Sequence, residues 1–175
     1  MSTLEDKYKK ENLQNHIYNT PDTYVGGCDL ISEPLHLFNP ETGKIEYNDA
    51  EFIPALYNTY NEILVNAKDQ VTRLRGLHEN DKSVHLVSEI KVTIDKEKGE
   101  ISIMNNGDGI DVAEHPKEKK NGKPIYIPQL IFGELLTSTN YNKSEQKVVG
   151  GKNGYGAKLT NIFSRSFQIE TVDRI

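Results

Sequence analysis

EIKVTIDKEKGEISIMNNGDGI, residues 89–110, decides the fold. Two β-rich runs, 89–95 and 100–106, flank KEKG at 96–99, the pattern of an antiparallel hairpin. Upstream, from about Asp49 to Arg75, apolar residues recur at three- and four-residue spacing (Ile53, Tyr60, Ile63, Leu64, Ala67, Val71, Leu74), one core-facing stripe of a long helix. Asp49 offers an N-cap, and Pro54 suits a first turn. Downstream, 128–136 reads as a short helix, 157–164 as a helix start and 166–172 as a final strand. Helices and antiparallel strands come in blocks rather than in strict alternation, so the class predicted is α+β, a mostly antiparallel sheet covered by helices on one face.

The remaining stretches read as connections. Residues 1–20 are polar, with a weak helical pattern that stops at Thr20-Pro21, and PDTYVGG (21–27) reads as a turn. Residues 30–48 suit one or two short strands. GLHENDKS (76–83) and the lysine-rich 111–124 read as exposed loops, and 137–156 as a long loop of the kind used for active-site lids. Residues 1–24 are therefore an arm, and 25–175 one domain. The sequence stops soon after SFQIETV, without a closing element, which reads as the cut end of a longer domain.

Composition narrows the function. The 175 residues are 35% hydrophobic and 27% charged, a globular balance, and the net charge of −5 argues against this segment being the main grip on nucleic acid. A single cysteine, Cys28, cannot form an internal disulfide, in keeping with a reducing compartment. The five histidines lack metal-ligand spacing, and no apolar run is long enough for a membrane span.

Four motifs carry chemistry. Glu62, Asn66 and Asp69 stand at i, i+4 and i+7 of the long helix, within about 60° of one another and opposite the apolar stripe. Such a set could polarise a water, help hold a hard cation such as Mg²⁺ and accept a ligand hydrogen bond; helix geometry alone favours a solvated polar face. NNGDGI (105–110) is either a plain turn or a place where Gly107 and Gly109 let the backbone approach a flat ligand while an Asn reads its edge. TSTN (137–140) offers hydroxyls and an amide for phosphate or sugar oxygens. GGKNGYGAK (150–158) offers successive unhindered N–H groups before a helix start, with Lys152 and Lys158 adding charge, which suits an anion. It fits the P-loop from Gly151 to Gly156 but has Ala157 where that motif needs lysine.

Taken in order, these motifs resemble a known family. NEILVNAKDQ, ISIMNNGDGI, IPQLIFGELLTSTNYN and VVGGKNGYGAKLTNIFS, with YKKENLQNHIYNTPDTYVG near the start, resemble the ATPase domain of eukaryotic-type type IIA DNA topoisomerases over nearly all of residues 8–172. That domain belongs to the GHKL superfamily, and the resemblance implies its Bergerat fold, a two-layer α/β sandwich. It implies Glu62 as the general base that activates the attacking water and Asn66 as the ligand of an essential Mg²⁺. Asp69 and Asn105 would lie around the adenine and ribose of ATP, with Ile110, Ile131 and Phe132 lining the pocket. Ser138, Thr139 and Asn140 would contact ribose and phosphates. Gly151, Lys152, Asn153, Gly154, Tyr155, Gly156, Ala157 and Lys158 would wrap the triphosphate as a lid. Tyr8 would reach the ATP of a second protomer.

The activity implied is that of an ATP-driven gate: ATP binding dimerises two subunits, a DNA duplex passes through a break in another, and hydrolysis resets the gate. Localisation in a nucleus, or in a viral replication compartment, would follow. Gln70 stands where the family usually has Asn, Thr139 where a second Ser is usual, and Lys152 replaces Arg; residues 72–88 are longer than the usual connector. The resemblance also implies that a transducer domain and a DNA-cleaving tyrosine follow. Two other readings stay open. One is a nucleotide-binding and dimerisation fragment without turnover. The other is a different GHKL ATPase such as gyrase B, whose relatives usually carry Asp in place of Asn105.

Overall fold

A computed structural model describes residues 11–135 and 155–173. The chain divides into two compact units, residues 1–58 and 59–175. The class is α+β, as the sequence predicts, and every strand pair is an antiparallel hairpin.

In the first unit, α1 (Leu13–Asn19) begins at Asn12, whose side chain accepts the Asn15 N–H at 2.9 Å. Ile17 is fully buried, and the His16 and Tyr24 rings meet edge to face at 5.8 Å. Pro21 opens the one-turn helix α2 (Pro21–Tyr24) where a plain turn was expected, because its missing N–H costs nothing at a first helical position. Strands β1 (Ile31–Asn39) and β2 (Lys44–Phe52) pair from Ile31↔Phe52 to Asn39↔Lys44. They are longer than the sequence reading allowed, and Asp49 lies within β2 rather than capping the helix.

The long helix α3 spans Pro54–Asn80, so the unit boundary falls inside it. It starts at proline and runs five residues beyond Arg75, through the stretch expected as a loop. Gly76 disfavours a helix by about 1 kcal/mol relative to Ala; Leu74, 2% exposed, and the His78 Nδ1 contact to the Val84 carbonyl at 3.0 Å hold that last turn.

In the second unit β3 (Ile90–Asp95) and β4 (Glu100–Asn105) pair from Ile90↔Asn105 to Asp95↔Glu100, closed by Gly99 at φ +66°. The opening stretch of sequence is thus the hairpin it predicts. Residues 111–124 are not a loop: β5 (Glu114–Lys120) and β6 (Lys123–Tyr126) form a hairpin through Asn121 and Gly122, both at positive φ. Asn-Gly is the turn signal that the charge run masked, and a ladder whose side chains are mostly in water tolerates lysines on both faces. Helix α4 (Ile127–Gly133) follows directly, and α5 (Gly156–Phe163) packs Ala157, Lys158 and Leu159 inward. Residues 166–172 join no strand ladder among the described residues. Among these residues no helix is long and apolar enough to cross a membrane.

Candidate functional site

The site is built where α3 meets α5 in the second unit. Two side chains from α5 pin it. Thr160 Oγ1 donates to the Thr59 carbonyl of α3 at 2.9 Å, and Asn161 Nδ2 donates to the Phe132 carbonyl of α4 at 3.1 Å. Those bonds bring the start of α5 against Glu62. A Cβ placed on Gly156 would collide with the Glu62 carboxylate, so only glycine leaves that group where it is. Partial burial there raises the Glu62 pKa by desolvation, which makes the carboxylate a better proton acceptor than a free one.

Asn66 follows one turn along the same helix face, exposed, and Asp69 lies on the next turn with its side chain only 14% exposed. The face is therefore not uniformly solvated. Lys68 Nζ stands 3.7 Å from the Asp69 carboxylate. Lys158, in the first turn of α5, is 3% exposed, and burial lowers its pKa to about 8. Tyr155, Gly156, Ala157 and Lys158 all border this junction or begin the helix beside it.

The loop after β4 meets α3 further along the helix, at Gln70 and Leu74. Asn105 is half-buried and pairs with Ile90; Ile110 is half-buried, its N–H donating to Thr171 Oγ1 at 2.9 Å. Gly109 N–H donates to the Val172 carbonyl at 3.1 Å, and a Cβ on Gly109 would meet that carbonyl and Thr171. On Gly107 it would lie 2.6 Å from both Leu74 Cδ1 and Val87 Cγ2. Both glycines thus admit close protein neighbours, where the sequence suggested room for a ligand. Ile131 and Phe132 lie on α4, half-buried, with the Phe132 ring 6.4 Å from Phe167.

An open cleft of about 650 Å³ lies along this loop, lined by Ser83, His85, Asn106, Gly107, Asp108, Val172 and Asp173; it does not include Glu62 or Asn66. Three participants were missed from sequence: Thr160, Asn161 and Thr171. Each is a common polar residue whose partner lies 29 to 101 positions away, so no local pattern marks it. Tyr8, Ser138, Thr139, Asn140, Gly151, Lys152, Asn153 and Gly154 lie outside the described residues.

No protein-family model matches the chain. It is 46% identical over 175 residues to DNA topoisomerase 2 of Acanthamoeba polyphaga mimivirus and 47% identical over 172 residues to that of Caenorhabditis elegans. Each match takes in 98% of this chain but only 13% and 10% of the relative, so the chain spans about a tenth of the curated relatives it matches. The ATPase region of Saccharomyces cerevisiae topoisomerase II superposes with a TM-score of 0.77 at 41% identity, over 91% of this chain and 38% of that one. The ATPase and transducer domains of DNA topoisomerase II from Balamuthia mandrillaris give a TM-score of 0.80 at 40% identity, over 94% and 38%.

Proposed function

This chain is homologous along almost its whole length to the ATPase region of type II DNA topoisomerases, and on that premise we propose that it binds and hydrolyses ATP as the N-terminal gate module of such an enzyme. The observation that carries the proposal is the Glu62 carboxylate, lying against Gly156 at the start of α5 with a raised pKa and with Asn66 one turn away.

In this reading Glu62 takes a proton from the water that attacks the γ-phosphate, a role that needs reach more than strength. The donors beside it are oxygens, Glu62 and Asn66, of the kind a hard dication takes, so the residues present fit Mg²⁺ with Asn66 as its protein ligand. Bound Mg²⁺ would supply charge neutralisation on the phosphate oxygens. Asp69 and Asn105 contact the adenine and ribose, with Ile110, Ile131 and Phe132 around them. Ser138 to Asn140 and the lid from Gly151 to Lys158 hold ribose and phosphates. Phosphoryl transfer of this kind is mostly positioning and charge stabilisation, which suits a lid of N–H donors and a single base. Residues 1–24 act as an arm that brings Tyr8 to the ATP of a second protomer. ATP-driven dimerisation then closes a gate on duplex DNA, in a nucleus or a viral replication compartment.

Glu62→Gln in the full-length protein tests the assignment. Binding of a fluorescent ATP analogue is expected within about threefold of wild type, with phosphate release reduced at least a hundredfold. Turnover that survives the change removes Glu62 as the base.

A further inference from the structure

The loop between Asn105 and Ile110 is held by contacts from α3 and from residues 85–89. Gln70, on α3, donates from Nε2 to the Asp108 carbonyl at 2.7 Å. Asp108 and His85 bond reciprocally: the Asp108 N–H donates to the His85 carbonyl at 3.1 Å, and the His85 N–H to Asp108 Oδ2 at 3.0 Å. His85 Nδ1 lies 3.1 Å from Oδ1 of the same carboxylate, whose side chain is 10% exposed. Two residues earlier Asn106 repeats the arrangement. Its Oδ1 accepts the N–H groups of Ser88 and Glu89, both at 2.9 Å, and its Nδ2 donates to Ser88 Oγ at 2.8 Å. Gly107, between them, is closed in by Leu74 and Val87.

We propose that Gln70, His85 and Asp108 are positioning residues for nucleotide recognition: they brace the loop whose first residue, Asn105, reads the base. This inference rests on the reading of Asn105 as a nucleotide contact. The geometry supports it in three ways. Two of these bonds hold loop backbone, the Asp108 carbonyl by Gln70 and the Asp108 N–H by the His85 carbonyl, so they set the path of the loop as well as the position of a side chain. They converge from α3, which carries Glu62 and Asn66, and from residues 85–89, so base reading and hydrolysis share one rigid support. The Asp108 carboxylate is engaged by His85, which keeps an anionic loop residue in a defined place beside a site proposed for a polyanion. The end of the 72–88 stretch, longer than the family's usual connector, thereby acquires a task.

The test compares ATP with GTP in the full-length protein. Asp108→Ala and Gln70→Ala are expected to raise KM for ATP at least fivefold with kcat within twofold, and to narrow the preference for ATP over GTP at least threefold. Asp108→Asn keeps an oxygen acceptor for the His85 N–H and is expected within twofold of wild type. Gln70→Ala, which leaves the helix backbone unchanged, carries the same test if Asp108→Ala does not fold. A parallel loss of kcat and of both nucleotides would mean general destabilisation and would overturn the brace, as would unchanged constants. A wild-type protein that binds no nucleotide overturns the ATPase reading itself, a separate outcome.

Discussion

Lys158, assigned to the proposed lid, is buried at the start of α5. The residue is 3% exposed, and burial lowers its pKa from 10.5 to about 8. Between about pH 8 and 10.5 the unfolded chain therefore holds a proton that the folded chain does not, so stability rises with pH across that window. Below pH 8 both states are protonated and the burial cost is present in full. Lys158→Met is expected to raise the thermal midpoint at pH 7 by about 2–4 °C, on the order of 1 kcal/mol in a domain of this size. The rise above pH 8 should flatten, and ATP affinity should fall as the charge goes. A midpoint lowered at pH 7 would mean that contacts of the ammonium outweigh its desolvation. The lysine's presence in a glycine-rich anion motif was legible from sequence; its burial was not, because burial depends on tertiary neighbours.

At the scale of elements, the α3–α5 junction makes the site. Thr160 and Asn161 fix the angle of α5, and Gly156 leaves room for Glu62. Gly156→Ala separates the two roles of that glycine. Gly156 is the first residue of α5, where alanine changes helix stability little, and the obstruction it meets is the end of a flexible side chain. Folding is thus expected to be unchanged or slightly improved, while ATP turnover falls at least tenfold as the carboxylate is displaced. Calorimetry and phosphate release on the same sample decide it, and full turnover would mean that Glu62 acts from elsewhere. Element types were largely readable: the 89–105 hairpin and the long helix follow from periodicity. The β5–β6 hairpin was hidden because its residues are chosen for solvent rather than for a core, leaving only Asn121-Gly122 to mark it.

For the whole molecule, the proposed gate depends on association through the arm. Tyr8→Phe is expected to weaken dimerisation in the presence of a non-hydrolysable ATP analogue about fivefold or more, with no change in the thermal midpoint of the nucleotide-free protein; analytical ultracentrifugation reads the first and calorimetry the second. An unchanged dimer constant counts against the arm. The candidate set on one helix, Glu62, Asn66 and Asp69, was legible because helical spacing alone puts three residues on one face. The approach of Glu62 to Gly156 was not, since the two lie on elements tens of residues apart.

By itself the sequence determined the class, the long helix, the 89–105 hairpin and the family resemblance, all of which rest on local periodicity or on contiguous motifs. Only the tertiary structure decided that Gly156 faces Glu62, that Gly107 and Gly109 make room for protein, that Lys158 is buried, and that Gln70, His85 and Asp108 brace one loop. The reason is physical: those features are contacts between segments distant along the chain, and proximity of that kind is settled by packing, which no local spacing encodes.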